Sequence, residues 1–105
     1  MTRSKFFLRG DLLTGFSLEG HSGAGEAGSD VVCAAVSSAA YLTANTVTDM
    51  CGCRAEISDG DGRMLLRVAP KDAARCQDIL RGFRMHMEGL ENQYPDHIQV
   101  TTTEV

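Results

Sequence analysis

His21 and Cys33 stand twelve residues apart, separated by the glycine-rich run Ser22-Gly23-Ala24-Gly25-Glu26-Ala27-Gly28-Ser29 and followed by the alanine-rich stretch that opens Asp30-Val31-Val32-Cys33-Ala34-Ala35-Val36-Ser37. A thiol and an imidazole are what acyl transfer asks for: sulfur as nucleophile, imidazole as the base that takes its proton and later returns it to the leaving amine. Asp30 has the residue type of an N-cap, and a helix starting just after it puts Cys33 at the third helical position. There the unpaired first-turn amides and the positive end of the helix dipole favour the thiolate. The same N–H groups, that of Cys33 among them, can face a developing oxyanion. Gly20, Gly23, Gly25 and Gly28, with Ser22, form a loop that can swing and let a substrate backbone lie close. Each residue has a plainer reading beside this one. Cys33 also fits a small buried hydrophobe, His21 a loop residue without a role, and Asp30 a cap before it fits a partner for His21. Ser37, one turn after Cys33, shares its face and can line a cleft or simply sit on the helix surface.

Two hairpins and two helices must hold these groups. Phe6 to Arg9 and Leu13 to Glu19 flank the turn signal Gly10-Asp11, and the second run alternates Phe16 and Leu18 with Ser17 and Glu19, as a strand does. A helix follows from Val31 to about Met50, with Val32, Ala35, Val36, Ala39, Leu42 and Thr43 at spacings of three and four forming a stripe of mostly small side chains. Cys53 to Ser58 and Arg63 to Ala69 enclose Asp59-Gly60-Asp61-Gly62, the strongest turn signal in the chain. Beyond Pro70, a helix from about Lys71 to Glu91 carries Ala73, Cys76, Ile79, Leu80, Phe83, Met87 and Leu90 on one stripe, and Tyr94-Pro95 ends it. His97 to Thr103, rich in Ile, Val and Thr, adds an edge strand. The order β-β-α-β-β-α-β predicts an α+β, two-layer sandwich with both helices on one face of the sheet. Several un-knotted strand orders remain open.

A chain of 105 residues is one small domain spanning 1–105. Its formal charge of −4, from 10 basic and 14 acidic side chains, weighs against direct nucleic-acid binding. Four cysteines are too few for a disulfide scaffold, and Arg9 and Asp11 interrupt the apolar N-terminal run, so the chain reads as cytoplasmic. No uninterrupted apolar stretch is long enough for a bilayer, so no membrane role is expected. Cys51-Gly52-Cys53 departs from the CxxC spacing of zinc and redox sites and lacks a second pair, so no metal and no cofactor are expected. Cys76 reads as core, and His86 and His97 as surface or edge residues without ligand partners. Gly82 and Gly89, seven apart on the second helix beside Met85 and His86, are a candidate dimer contact or a plain solvated face.

Gly20-His21-Ser22-Gly23, Gly28 and the run from Asp30 to Ser37, with the Asp-Gly hairpin and the late Gln93-Tyr94-Pro95, resemble the ribosomal-processing cysteine protease (Prp) family over nearly the whole chain. The resemblance implies a cytoplasmic, homodimeric endopeptidase that removes a short N-terminal extension from a large-subunit ribosomal protein precursor. It implies Cys33 as nucleophile, His21 as general base, Asp30 as the acidic residue three before the cysteine, and Ser22 to Ser29 as a segment that closes over substrate. Ser22, where the family often has alanine, and the small run Ala24, Gly25, Glu26, Ala27, where it has aromatic or bulkier residues, depart from the family pattern, which bears on substrate preference. Two other classes stay open: a thiol redox or sensor protein in which Cys51 or Cys53 resolves an oxidised Cys33, and a non-catalytic ribosome-associated module.

Overall fold

Alternation along the first strand decides which side of the sheet is dry, because Thr2, Ser4 and Phe6 are buried while Arg3 and Lys5 are exposed. The structure is a computed structural model that describes residues 1–20 and 27–105, with residues 27–30 described by their backbone alone. Strand β1 (Thr2–Arg9) pairs antiparallel with β2 (Leu12–Glu19), which pairs with β4 (Arg63–Val68), and β4 with β3 (Ala55–Gly60). The last strand, β5 (Ile98–Glu104), lies parallel to β1, giving the order β3-β4-β2-β1-β5 and placing the C-terminal strand at an edge, as expected. Strand β1 begins four residues before the predicted Phe6, because its first core-facing positions, Thr2 and Ser4, are polar and show no apolar alternation.

The helices depart from expectation at their starts. Helix α1 is Ala27–Asn45, continued by one π-helical turn over Thr46–Met50. Its buried stripe is Val32, Val36, Ala40, Thr43, Ala44 and Val47, so the stripe turns away from Leu42, which is 64% exposed. Small residues at 40 and 44 let the helix lie close to the sheet. By length and composition Val31–Met50 is also apolar enough to cross a bilayer, but here its stripe packs in the same core as Phe6, Phe16 and Leu66. The segment predicted to open the second helix is a 3₁₀ helix, Pro70–Cys76, and α2 itself is Gln77–Gln93. Side chains here bond sideways. Asp72 accepts the Arg54 N–H at 2.9 Å, while the Gln77 amide exchanges hydrogen bonds with both backbone groups of Leu13 at 2.9 and 2.8 Å.

Both helices cover one face of the sheet, with Leu80, Phe83, Met87 and Leu90 of α2 completing the core. Phe6, Phe16 and Phe83 meet at its centre with ring centroids 4.8 to 6.1 Å apart. Tilted and edge-on pairs of this kind each add about 0.5–1.5 kcal/mol beyond their area burial.

Candidate active site

Helical spacing puts Cys33, Ser37 and Tyr41 on one face of α1, and together they form one wall of a cleft of about 180 Å³. The opposite wall comes from the end of β2 (Leu18, Gly20), the start of β1 (Thr2) and the tip of the β3–β4 hairpin (Asp59, Gly60, Gly62, Arg63). Two hydrogen bonds hold this wall. Gly20 donates its N–H to the Gly62 carbonyl at 2.8 Å, and the Tyr41 hydroxyl donates to Asp59 Oδ2 at 2.5 Å. That bond and the negative charge of Asp59 push the Tyr41 hydroxyl above its ordinary pKa, since ionisation would break the bond and set two anions side by side. Gly20 has φ +92°, and a Cβ there would come within 2.4 Å of the Met1 carbonyl oxygen, so only glycine lets the strands close at this corner.

Cys33 is half-buried, stands outside any disulfide and lines the cleft. Its place in the helix differs from expectation. Because α1 begins at Ala27, Asp30 lies inside the first turn rather than capping it, and Cys33 is the seventh helical residue, not the third. The helix starts early because Ala27 is the best helix former and Gly28 and Ser29 do not stop it. First-turn amides therefore lie a turn away from Cys33, and the dipole effect fades over that distance. Gly28 falls in that first turn. His21, Ser22, Gly23 and Gly25 lie outside the described residues, whereas Gly20, covalently bonded to His21, lines the cleft with Cys33. Ser37 lies on the cleft wall, exposed. Sequence reasoning missed Tyr41, whose position eight after Cys33 was a usable signal, and it missed Asp59 and Arg63, for which no local signal existed.

The other cysteines belong to a separate, structural cluster. The Cys53 thiol donates to the Asp72 carbonyl at 3.3 Å and the Cys76 thiol to the Ala73 carbonyl at 3.4 Å. Burial, and then the neighbouring Cys53, push the Cys76 thiol up to about 12. Arg75 ties the segment down by donating to the Cys51 and Gly52 carbonyls at 3.2 and 2.8 Å. Cys51 is separated from Cys33 by the length of α1 and its π turn, roughly 25 Å at 1.5 Å per residue. A disulfide needs Cα atoms within about 7 Å, so resolution of Cys33 by Cys51 within one chain conflicts with this geometry. Among the described residues, no group of three or more His, Cys, Asp or Glu side chains is arranged to hold a metal.

Comparison with known proteins gives a consistent result. The family model described as cysteine protease Prp matches residues 1–99. The ribosomal processing cysteine protease Prp of Bacillus subtilis is 27% identical over 93 residues, covering 83% of each chain. SMU.848 of Streptococcus mutans superposes with a TM-score of 0.89 at 22% identity, over 100% of this chain and 99% of its own. The essential ribosomal processing protease Prp of S. aureus, in complex with a covalently linked product peptide, superposes with a TM-score of 0.87 at 23% identity, over 98% and 100% of the two chains.

Proposed function

This chain, a cysteine endopeptidase, belongs to the cysteine protease Prp family, and we propose that it removes an N-terminal extension from the precursor of a large-subunit ribosomal protein. Residues 1–105 act as one protease domain in which Cys33 is the nucleophile and His21 the general base. The observation that carries the reading is the half-buried Cys33 thiol on the wall of a cleft that also includes Gly20, the covalent neighbour of His21. A sulfur at the rim of a concave site can meet a peptide, whereas a sulfur packed in the core cannot.

The reaction follows from the two groups. His21 takes the Cys33 proton, the sulfur attacks the scissile carbonyl carbon, and the resulting oxyanion collapses as the C–N bond breaks and the imidazolium protonates the leaving amine. Water, deprotonated by the same imidazole, then hydrolyses the thioester and frees the thiol. Ser37 and Tyr41, on the helix face of Cys33, bound the substrate on one side, and the segment of Gly20, Ser22, Gly23, Gly25 and Gly28 closes from the other. Asp30, inside the first turn, adds a negative charge there, and orienting His21 is its second role in this reading. No metal or other cofactor enters this chemistry.

The partner is an extended N-terminal segment of a ribosomal precursor. The enzyme acts in the cytoplasm, where its four thiols stay reduced. It acts as a homodimer through the exposed α2 face of Gly82, Met85, His86 and Gly89, where Met85 is 71% exposed and a Cβ at either glycine would meet open space. The test is a peptide spanning the precursor's cleavage segment. Wild type should give one cut and a thioester mass adduct on Cys33, with both lost in Cys33→Ala and the rate reduced at least a hundredfold in His21→Ala, which is the order expected for losing a general base. A cut that survives Cys33→Ala refutes the assignment.

A further inference from the structure

The charge of −4 averaged over the chain conceals a segregation that appears only when the strands are paired. Side chains facing away from the helices alternate along each strand. On β1 these are Arg3, Lys5, Phe7 and Arg9, and on β4, two strands away, Arg63, Leu65 and Arg67. Between them, β2 presents Gly15 and Ser17, which have little bulk, so the two basic rows stand about 10 Å apart on either side of a shallow floor. All five cations are exposed. Arg54, also exposed, joins Arg9 and Arg67 at the lower end, so six of the ten basic residues stand on or beside this face.

Only two acidic side chains among the described residues accompany them on the face. Glu56 pairs with Arg67 at 4.0 Å, and Glu19 lies opposite Arg3 and Arg63 in the register. Two neighbouring concavities of about 640 and 390 Å³ open on this side and meet at Phe7 and Arg67, which line both; together they make the groove. At its middle, Arg67 reaches across the bare backbone of Gly15 to set its guanidinium over the Phe7 ring, 5.5 Å from the centroid. The result is a guanidinium seated over an aromatic ring, the Arg67–Phe7 plate, flanked along β1 by Lys5 and Arg9, each about 7 Å from Phe7.

We propose that the uncovered sheet face binds single-stranded RNA, with phosphates tracking Lys5, Arg9, Arg54 and Arg67 and a base stacking on the Arg67–Phe7 plate. Basic grooves floored by stacking surfaces on open sheets are the physical recipe for sequence-tolerant single-strand binding. The catalytic cleft lies on the helix-covered side of the sheet and meets the groove only at its upper end, where Leu18, Arg63 and Met64 line both, so the four phosphate-tracking residues stand outside the peptide site. A dimer through α2 leaves the groove open. This binding goes beyond the protease reading and stands or falls independently of it.

The test titrates the full chain into a fluorescein-labelled single-stranded RNA of about twelve nucleotides and follows anisotropy at about 50 and 200 mM KCl. With four phosphate contacts the slope of log K against log salt should be about −2.8, an affinity loss of roughly 50-fold across that range. The triple variant Lys5→Gln/Arg9→Gln/Arg67→Gln should weaken binding at least tenfold and reduce the slope toward about −0.7, while Lys71→Gln/Arg84→Gln, outside the groove, changes neither. If the triple variant loses its melting transition, Lys5→Gln and Arg9→Gln singly should each reduce the slope by about 0.7. Lack of binding at the lower salt overturns the proposal, as does equal loss in the Lys71/Arg84 variant. So does a dimer, detected by sedimentation, that the triple variant dissociates, because a second copy would then occupy the face.

Discussion

Replacing Gly20 with alanine tests how the cleft wall is held. Two costs add at this position. A φ of +92° is a conformation that L-residues adopt at about 1–3 kcal/mol. The new Cβ would also lie 2.4 Å from the Met1 carbonyl oxygen, where contacts below 3.0 Å force a shift, and the obstacle is backbone rather than a side chain that can swing aside. Opening this corner strains the start of β1, where Thr2 donates to the His97 carbonyl at 2.8 Å, and the Gly20–Gly62 bond. The sum is about 2–4 kcal/mol of lost stability, a large part of what a domain of this size has. Gly10→Ala is the control, since Gly10 has φ +60° with nothing within 4 Å of its Cβ position, and should cost only about 1–2 kcal/mol. Thermal melts should therefore fall by roughly 10–25 °C for Gly20→Ala and 5–10 °C for Gly10→Ala. Peptide cleavage measured well below each melting point should fall on the order of tenfold to a hundredfold in Gly20→Ala and stay near wild type in Gly10→Ala, because displacing a site wall by an ångström has that effect. Equal melting of the two variants with full activity in both would falsify the argument that the Gly20 corner shapes the site.

Two further outcomes follow from the electrostatics. Asp59→Asn should bring the Tyr41 hydroxyl down toward an ordinary value near 10, read by phenolate absorbance, and Tyr41→Phe should raise KM roughly three- to tenfold with little change in kcat. An unmoved titration would show that the bond across the cleft does not persist in solution. Cys76 gives a pH signature of opposite sense to the usual acid effect. Its folded value near 12 exceeds the unfolded value of about 8.5, so the unfolded chain binds fewer protons between them, and stability is complete below about pH 8.5 and falls by about 1.4 kcal/mol per pH unit above it. Urea midpoints across that window test it: Cys76→Ala should flatten the slope, and an unchanged slope would contradict the assignment.

Where apolar periodicity was strong, the fold was legible. The β3–β4 hairpin was readable from Asp61-Gly62, the stripe of α2 from Leu80, Phe83, Met87 and Leu90, and the edge position of β5 from its composition and place in the chain. Legibility failed where polar groups serve the core or where side chains outbid local propensity. Thr2 and Ser4 hid the first half of β1, Asp72 and Gln77 kept Pro70–Cys76 in 3₁₀ winding, and a cap rule placed the start of α1 four residues late, moving Cys33 from the seventh helical position to the third.

By itself the sequence determined the reactive residue types, the order of elements and the family, because each is carried by neighbours along the chain. Cys33, Ser37 and Tyr41 share a helix face for that reason alone. The tertiary structure decided that Asp59, Gly62 and Arg63 stand across from them, and that basic residues scattered from Arg3 to Arg67 collect on one face of the sheet. Those placements depend on the strand order β3-β4-β2-β1-β5, which is selected by how the two hairpins bury their faces together against α1 and α2. Local spacing contains no term for that choice, since the free energy that makes it comes from contacts between residues far apart in the chain.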